Sequence, residues 1–205
     1  TNMIEVQNAI KTFDGNQVLK NVSAIFEAGK TNLIIGQSGS GKTVLMKSIV
    51  GIHRIDSGHI LYDGRDITIM KRKQLNQLRR EIGMLFQGSA LFDSMTVLEN
   101  VRFPLDMFSD ETEDEKDRRA RFCLERVELS HAVDLYPSEI SGGMQKRAAI
   151  ARAIVLNPKY LFCDEPNSGL DPKTSLLIDK LIQDITHEFN ITTIINTHDM
   201  NSVME

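Results

Sequence analysis

Gly36-Gln37-Ser38-Gly39-Ser40-Gly41-Lys42-Thr43 satisfies every specified position of the pattern G-x-x-x-x-G-K-[ST]. An apolar run, Thr31 to Ile35, leads into it. The segment after it repeats Leu45, Met46, Ile49 and Val50 at helical spacing. This is a strand, a glycine-rich turn and an amphipathic helix. Glycines at 36, 39 and 41 let the backbone wrap so that its N–H groups point inward at phosphate oxygens. The helix that begins at about Lys42 adds the positive end of its dipole. Ser38 and Ser40 belong to the same cradle. Lys42 is placed to reach the outer phosphates of a nucleotide, and the Thr43 hydroxyl to ligate Mg2+.

The matching acidic element lies far along the chain. Tyr160-Leu161-Phe162-Cys163 is an apolar strand that ends in Asp164-Glu165. A carboxylate at such a strand end suits the Mg2+ shell of a bound nucleotide, which is the expectation for Asp164. Glu165 is then placed to orient and deprotonate an attacking water. Isolated carboxylate pairs at strand ends are often merely solvated, and the phosphate loop gives this one its meaning. Between the two elements, Ile140-Ser141-Gly142-Gly143-Met144-Gln145 opens a helix with a Ser-Gly-Gly turn, and a helix start is an anion site.

Composition limits the alternatives. Hydrophobic residues make up 41% and charged residues 25% of the 205, as in an ordinary globular chain with a full core. A formal net charge of -4 argues against an electrostatic grip on nucleic acid. The two cysteines, Cys123 and Cys163, form no CxxC or Cys/His cluster, so neither zinc nor a disulfide framework is expected, and a reducing cytoplasmic compartment is. Cys163 reads as a small buried hydrophobe. No apolar run is long enough to cross a bilayer and no signal peptide opens the chain, so membrane association is expected to go through a partner.

The first third alternates strands with tight turns at Asp14-Gly15-Asn16 and Asp63-Gly64. Lys71 to Arg80 reads as a basic helix and Ile82 to Phe86 as a strand. Thr96 to about Val127 reads as charged helix, with Asp110 and Glu113 as a capping box for the run 111–126. The mixed charges of 110–121 suit a solvated helix face. A helix over about 143–156 stops at Asn157-Pro158. Pro172 starts another, bearing Ile178, Leu181, Ile182 and Ile185, and Ile191 to Ile195 is a buried strand. Buried strands alternating with helices imply a mainly parallel sheet.

Taken in order, these motifs resemble the nucleotide-binding subunits of ABC transporters across essentially the whole chain. The resemblance implies an α/β fold: a P-loop NTPase core with a mainly parallel sheet, an N-terminal antiparallel β subdomain and an inserted α-helical subdomain. Residues 1–86 and 159–205 would form the core with its β subdomain, and about 88–156 the helical part. Ser141, Gly142 and Gly143 match the signature motif, usually Leu-Ser-Gly-Gly-Gln, which closes over the γ-phosphate of ATP held by another subunit. Ile140 and Met144 depart from it, and Gln145 stands one place late, which puts one ribose-side contact in doubt. Gln87 matches a loop glutamine that senses Mg2+ and touches the membrane partner. Asp171, in Ser168-Gly169-Leu170-Asp171, matches a loop that crosses to the opposite subunit, although Asp171-Pro172 is also a plain helix start. His198 matches the switch histidine on the γ-phosphate. Phe13 stands where the family has an aromatic that stacks on adenine, with a core phenylalanine as the competing reading.

The implied activity is ATP hydrolysis with Glu165, His198 and Lys42 as the catalytic set and ATP and Mg2+ bound. A homodimer, two copies joined head to tail, would drive transmembrane permease subunits from the cytoplasmic face of the membrane, with no nucleic acid partner. Met144, the segment 101–105 and the run 196–200 resemble the Mla/Mce-type phospholipid-transport ATPases. ATPases that import amino acids or other solutes share most of the frame. A soluble ABC-type ATPase acting on ribosomes or DNA is the remaining alternative; those usually carry two cassettes or a long coiled coil, and neither is present.

Overall fold

The computed structural model describes residues 3–37 and 39–198. Ser38 of the phosphate loop, and Asp199 and Met200 of the run 196–200, lie outside them.

Two sheets are present. The first is antiparallel, in the order β2-β1-β4-β5, from β1 (Ile4–Phe13), β2 (Asn16–Phe26), β4 (Ser57–Tyr62) and the short β5 (Arg65–Asp66). Strands β1 and β2 meet through Asp14 and Gly15, both at positive φ (47° and 78°). That is the backbone a tight two-residue hairpin requires, and Asp-Gly is its usual sequence. The second sheet is wholly parallel, in the order β3-β8-β7-β6, from β3 (Thr31–Ile35), β6 (Ile82–Leu85), β7 (Tyr160–Asp164) and β8 (Thr192–Thr197). Its two central strands are the apolar runs read as buried from the sequence; every residue of β8 is buried.

This parallel sheet divides the interior into two cores, and β7 shows how. Tyr160 and Phe162 face one core, with α1 (Lys42–Ile49) and the antiparallel sheet. Leu161 and Cys163 face the other, with α3 (Val97–Phe108), α4 (Glu113–Arg126), α5 (Gly142–Ile154) and α6 (Pro172–Glu188). The alternation is the period of two of a strand covered on both sides. Polar ties join the two sheets. The Tyr62 hydroxyl donates to Ile49 O at 2.6 Å and its ring meets Tyr160 edge-on. The Tyr160 hydroxyl donates to Asp63, and Arg65 makes a forked pair with Glu81. Burial pushes the Cys123 thiol up to about 11 and the Cys163 thiol further still, so both behave as apolar groups.

The helical region is not one run. It breaks at Ser109–Thr112, and α4 is capped by Thr112 with Glu115 rather than by Asp110 with Glu113. Thr112 Oγ1 accepts from Glu115 N at 3.3 Å, and Glu115 accepts from Thr112 N at 2.8 Å. Thr-x-x-Glu satisfies both orphan donors reciprocally. Glu113, two residues short of that position, pairs with Arg102 of α3 instead. Helix α2 (Arg72–Arg79) is the basic segment, with Leu78 as its buried residue.

Gly83 of β6 lies against the helix behind it: a Cβ there would fall 2.3 Å from Ala153 O of α5. Backbone cannot give as a side chain can. Gly83→Ala is expected to destabilise the chain by about 1–3 kcal/mol through overpacking, read as a lower midpoint in urea unfolding. Gly64→Ala, whose Cβ would meet nothing within 4 Å, serves to separate this clash from the strain of its positive φ.

Candidate functional site

Because all four strands of the second sheet are parallel, the loops after β3, β6, β7 and β8 emerge at one edge of it. Such an edge is where open α/β sheets bind ligands. The loop after β3 turns with Gly39 at φ 81° and Gly41 at φ 92°, and Ser40 N donates to Gln37 O. Gly41 caps α1 with no side chain on the first-turn N–H groups. A Cβ on Gly41 would crowd Val18 O at 3.2 Å, so glycine is required there by both conformation and space. Lys42 is 7% exposed, and its ammonium donates to two backbone carbonyls, Gly36 O and Thr197 O. A buried cation with only carbonyl partners, set beside uncapped helix N–H groups, is a site in want of an anion. The phosphates of a nucleotide fit it. Thr43 is exposed beside them.

At the end of β7, Asp164 and Glu165 stand next to each other. Burial first, and then the Glu165 charge, push the Asp164 carboxyl up from its ordinary range. Glu165 adopts φ 46°, a strained value for a residue with a Cβ, with its N–H donating to Asn196 O at 2.9 Å. Its carboxylate meets His198 Nδ1 at 2.9 Å. The proposed base and the proposed switch histidine are thus in direct contact. Two crowded carboxylates fit a divalent cation. The described residues hold no cluster of three or more His, Cys, Asp or Glu side chains able to cage one.

Gln87, exposed after β6, donates to Ser168 Oγ at 3.4 Å, which brings the glutamine loop to the loop after β7. The residues beyond it are pinned to α5. Ser89 Oγ donates to Gln145 Oε1 at 3.1 Å, and Arg152 donates to Ser89 O and Ala90 O. Gln145 also donates to Pro137 O. Neither Gln145 nor Arg152 was foreseen in this role; an i, i+7 pair on one helix face was the available signal.

Ser141 caps α5, accepting from Met144 N at 3.2 Å. Asp171 caps α6 in the same way and also accepts from the Thr174 hydroxyl, contacts that hold its carboxyl below the ordinary range. The two turns touch: a Cβ on Gly143 would lie 2.8 Å from Thr174 Cγ2. Ser141, Gly142, Gly143, Gly169 and Asp171 line one open cavity of about 820 Å³, and none of Lys42, Thr43, Asp164, Glu165 or His198 lines it. One chain therefore carries two separate helix-opening turns, the one at Lys42 and the one at Ser141. Met144, in place of the usual glutamine, packs against the helical core.

Phe13 is 37% exposed at the end of β1, not a core residue. Its edge meets His53 at 5.3 Å between centroids, and the Lys11 ammonium lies 5.0 Å from the ring centre. Two polar residues were given no site role by sequence reading: Asn196, which stood only in the Mla/Mce-like run 196–200 and donates to Asp164 Oδ1 at 2.8 Å, and Lys146, buried on α5 with its pKa lowered by that burial.

The family model described as ABC transporter matches residues 19–168. The chain belongs to the ABC transporter family. Among curated relatives, a probable ribonucleotide transport ATP-binding protein of Mycobacterium leprae is 40% identical over 198 residues, 97% of this chain and 57% of that protein. A methionine import ATP-binding protein of Carboxydothermus hydrogenoformans is 43% identical over 206 residues, 99% of this chain and 61% of that protein. The ABC domain thus spans rather more than half the length of these relatives. Among solved structures, a dimeric ATP-binding cassette in a post-hydrolysis state with ADP and Pi superposes with a TM-score of 0.85 at 33% identity, covering 97% of this chain and 89% of that one. A cassette from Clostridium perfringens, part of a cbiONQ ABC transporter complex, superposes at 0.91 with 35% identity, covering 98% and 80%. The fold is that of an ABC ATPase cassette.

Removing the Ser141 hydroxyl from the ABC domain takes away the cap of α5. Ser141→Ala is expected to cost about 1 kcal/mol of stability, measured by chemical unfolding. A value near zero would mean that the turn is not held in this conformation in solution.

Proposed function

We propose that this chain binds and hydrolyses Mg-ATP as the motor subunit of an ABC transporter, and that two copies join head to tail around two nucleotides. The observation that carries the reading is the separation of the two anion-binding turns. Lys42 sits with Asp164, Glu165 and His198, whereas Ser141 and Asp171 line a different cavity. A second copy can bring its Ser141 turn to the first copy's Lys42 site. The dimeric form of similar cassettes supports this arrangement.

In the proposed roles, the loop 36–43 holds the triphosphate and Lys42 turns its ammonium from backbone carbonyls to phosphate oxygens. Thr43, Asp164 and Gln87 would hold the cation, which would supply charge neutralisation at the phosphates. Glu165 takes a proton from water at Oε1 or Oε2, and His198, already at 2.9 Å from that carboxylate, fixes its orientation. Phe13 offers its half-exposed ring to the base. The segment 88–156 acts as a helical subdomain that carries Ser141 relative to the core. An open groove of about 650 Å³ between β6 and α3 presents Phe86, Phe92, Phe103 and Pro104 beside Gln87, and suits an apolar segment of a permease. No helix among the described residues is long and apolar enough to cross a membrane, in keeping with a role at the inner membrane face through such a partner.

For the cargo, the names of the relatives, one for methionine import and one for probable ribonucleotide transport, favour a small solute. The Mla/Mce-like features, Met144 and the segment 101–105, are what supports phospholipid. Co-purification with a permease and either a solute-binding or an Mce-type lipid-binding subunit separates the two.

Glu165→Gln keeps the size and loses the base. Turnover of ATP is expected to fall by roughly 10²–10⁴-fold, with ATP-dependent dimers accumulating in size-exclusion chromatography. Wild-type turnover by this variant would overturn the role of Glu165; a chain that binds no nucleotide at all would overturn the function.

A further inference from the structure

Strand β8 reads Thr192-Thr193-Ile194-Ile195-Asn196-Thr197 and is buried throughout. Its other buried polar side chains are matched: Thr192 accepts from Gly29 N, and Thr193 pairs with Thr186. Asn196 differs. It is fully buried and lies directly opposite Asp164 in the β7–β8 register. Its Nδ2 donates to Asp164 Oδ1 at 2.8 Å, while its Oδ1 has no partner. Its own carbonyl accepts the N–H of Glu165, the residue with left-handed backbone. An apolar side chain would fill this position in a buried strand without leaving an orphan acceptor. The amide is of no use to the packing.

The second orphan is Lys146, 4% exposed on α5 with Nζ unpartnered. Among the described residues, Lys146 Nζ and Asn196 Oδ1 are the only buried side-chain polar atoms without a hydrogen bond. Of the two, Asn196 is the one tied to the Asp164 carboxylate by a hydrogen bond. Asp164 Oδ1 is occupied by the amide, and Oδ2 makes no hydrogen bond among the described residues.

We propose that Asn196 is a positioning residue for the divalent-cation carboxylate: it takes up Oδ1 of Asp164 so that the carboxylate offers Oδ2. This rests on the assignment of Asp164 to the cation of Mg-ATP. It adds that the cation requirement is set from outside its own ligands, as partners behind a metal site commonly do.

The test is the Mg2+ dependence of nucleotide binding by the purified chain, read with a fluorescent ATP analogue in EDTA and across a Mg2+ titration. For Asn196→Val the Mg2+ midpoint is expected to rise about tenfold, well beyond any change in the metal-free dissociation constant. A midpoint within twofold of the parent for Asn196→Val, with its melting temperature kept or raised, overturns the proposal. An equal loss of affinity with and without Mg2+ also overturns it, since that marks a merely structural role. Should the valine variant not fold, Asn196→Ser is read by the same criteria. If the parent chain binds no analogue under either condition, it is the ATP-binding function that fails.

Discussion

The parallel pairing of β7 with β8 is the constraint on which the rest depends. Its register sets Asp164 against Asn196 and lets the N–H of Glu165 close on Asn196 O. Two residues beyond Asn196, His198 reaches the Glu165 carboxylate. A slip of one residue would turn every side chain of β8 to the opposite face, sending Asn196 away from Asp164 and exchanging the apolar residues between the two cores. The slip is opposed by burial on both sides: Ile194 belongs to the core with α1, and Ile195 to the core with the helices. Hydrophobic packing on both faces of the sheet thus fixes the geometry of the carboxylates.

Much of this was legible in the chain because local chemistry and burial agree there. The phosphate loop needs glycines at positive φ, and a strand needs to feed it. Helices α5 and α6 begin at Ser141 and Asp171, whose side chains announce a cap. The break within the charged helical stretch was misplaced because two acidic residues, Glu113 and Glu115, compete as the third position of a cap. Only the tertiary partner of Glu113, Arg102, decides between them. Phe13 could be read as core or as surface, since an aromatic near a hairpin tip suits either; it is 37% exposed.

Asn196 and Lys146 were invisible for a related reason. A polar residue inside an apolar strand, or a lysine on an alanine-rich helix, signals nothing until its burial is known. Gln145 and Arg152 are of the same kind. Their partners are backbone and side-chain atoms of the loop after Gln87, and no local pattern in that loop names α5 as its support. The connection has a mechanical consequence. Gln87 touches the loop after β7 through Ser168, while the next residues are tied to the helix that Ser141 caps. A shift of α5 would therefore carry the 89–90 segment with it.

The two helix-opening turns, at Lys42 and at Ser141, differ in how far the chain satisfies them alone. At the first, Lys42 is buried against carbonyls and α1 has no side-chain cap. At the second, Ser141 satisfies the N–H of Met144, leaving the glycine N–H groups at the open end of α5. Each turn favours negative charge, and a triphosphate has enough of it for both. A ligand gripped by one copy's Lys42 turn and the other's Ser141 turn would stabilise the pair of chains together more than it stabilises either alone. Shortening that ligand by one phosphate removes part of the bridge, so the two nucleotide states would differ in their preference for the joined form. Only such a differential affinity can shift a conformational population, and in this chain it arises from placing the two half-sites on different surfaces.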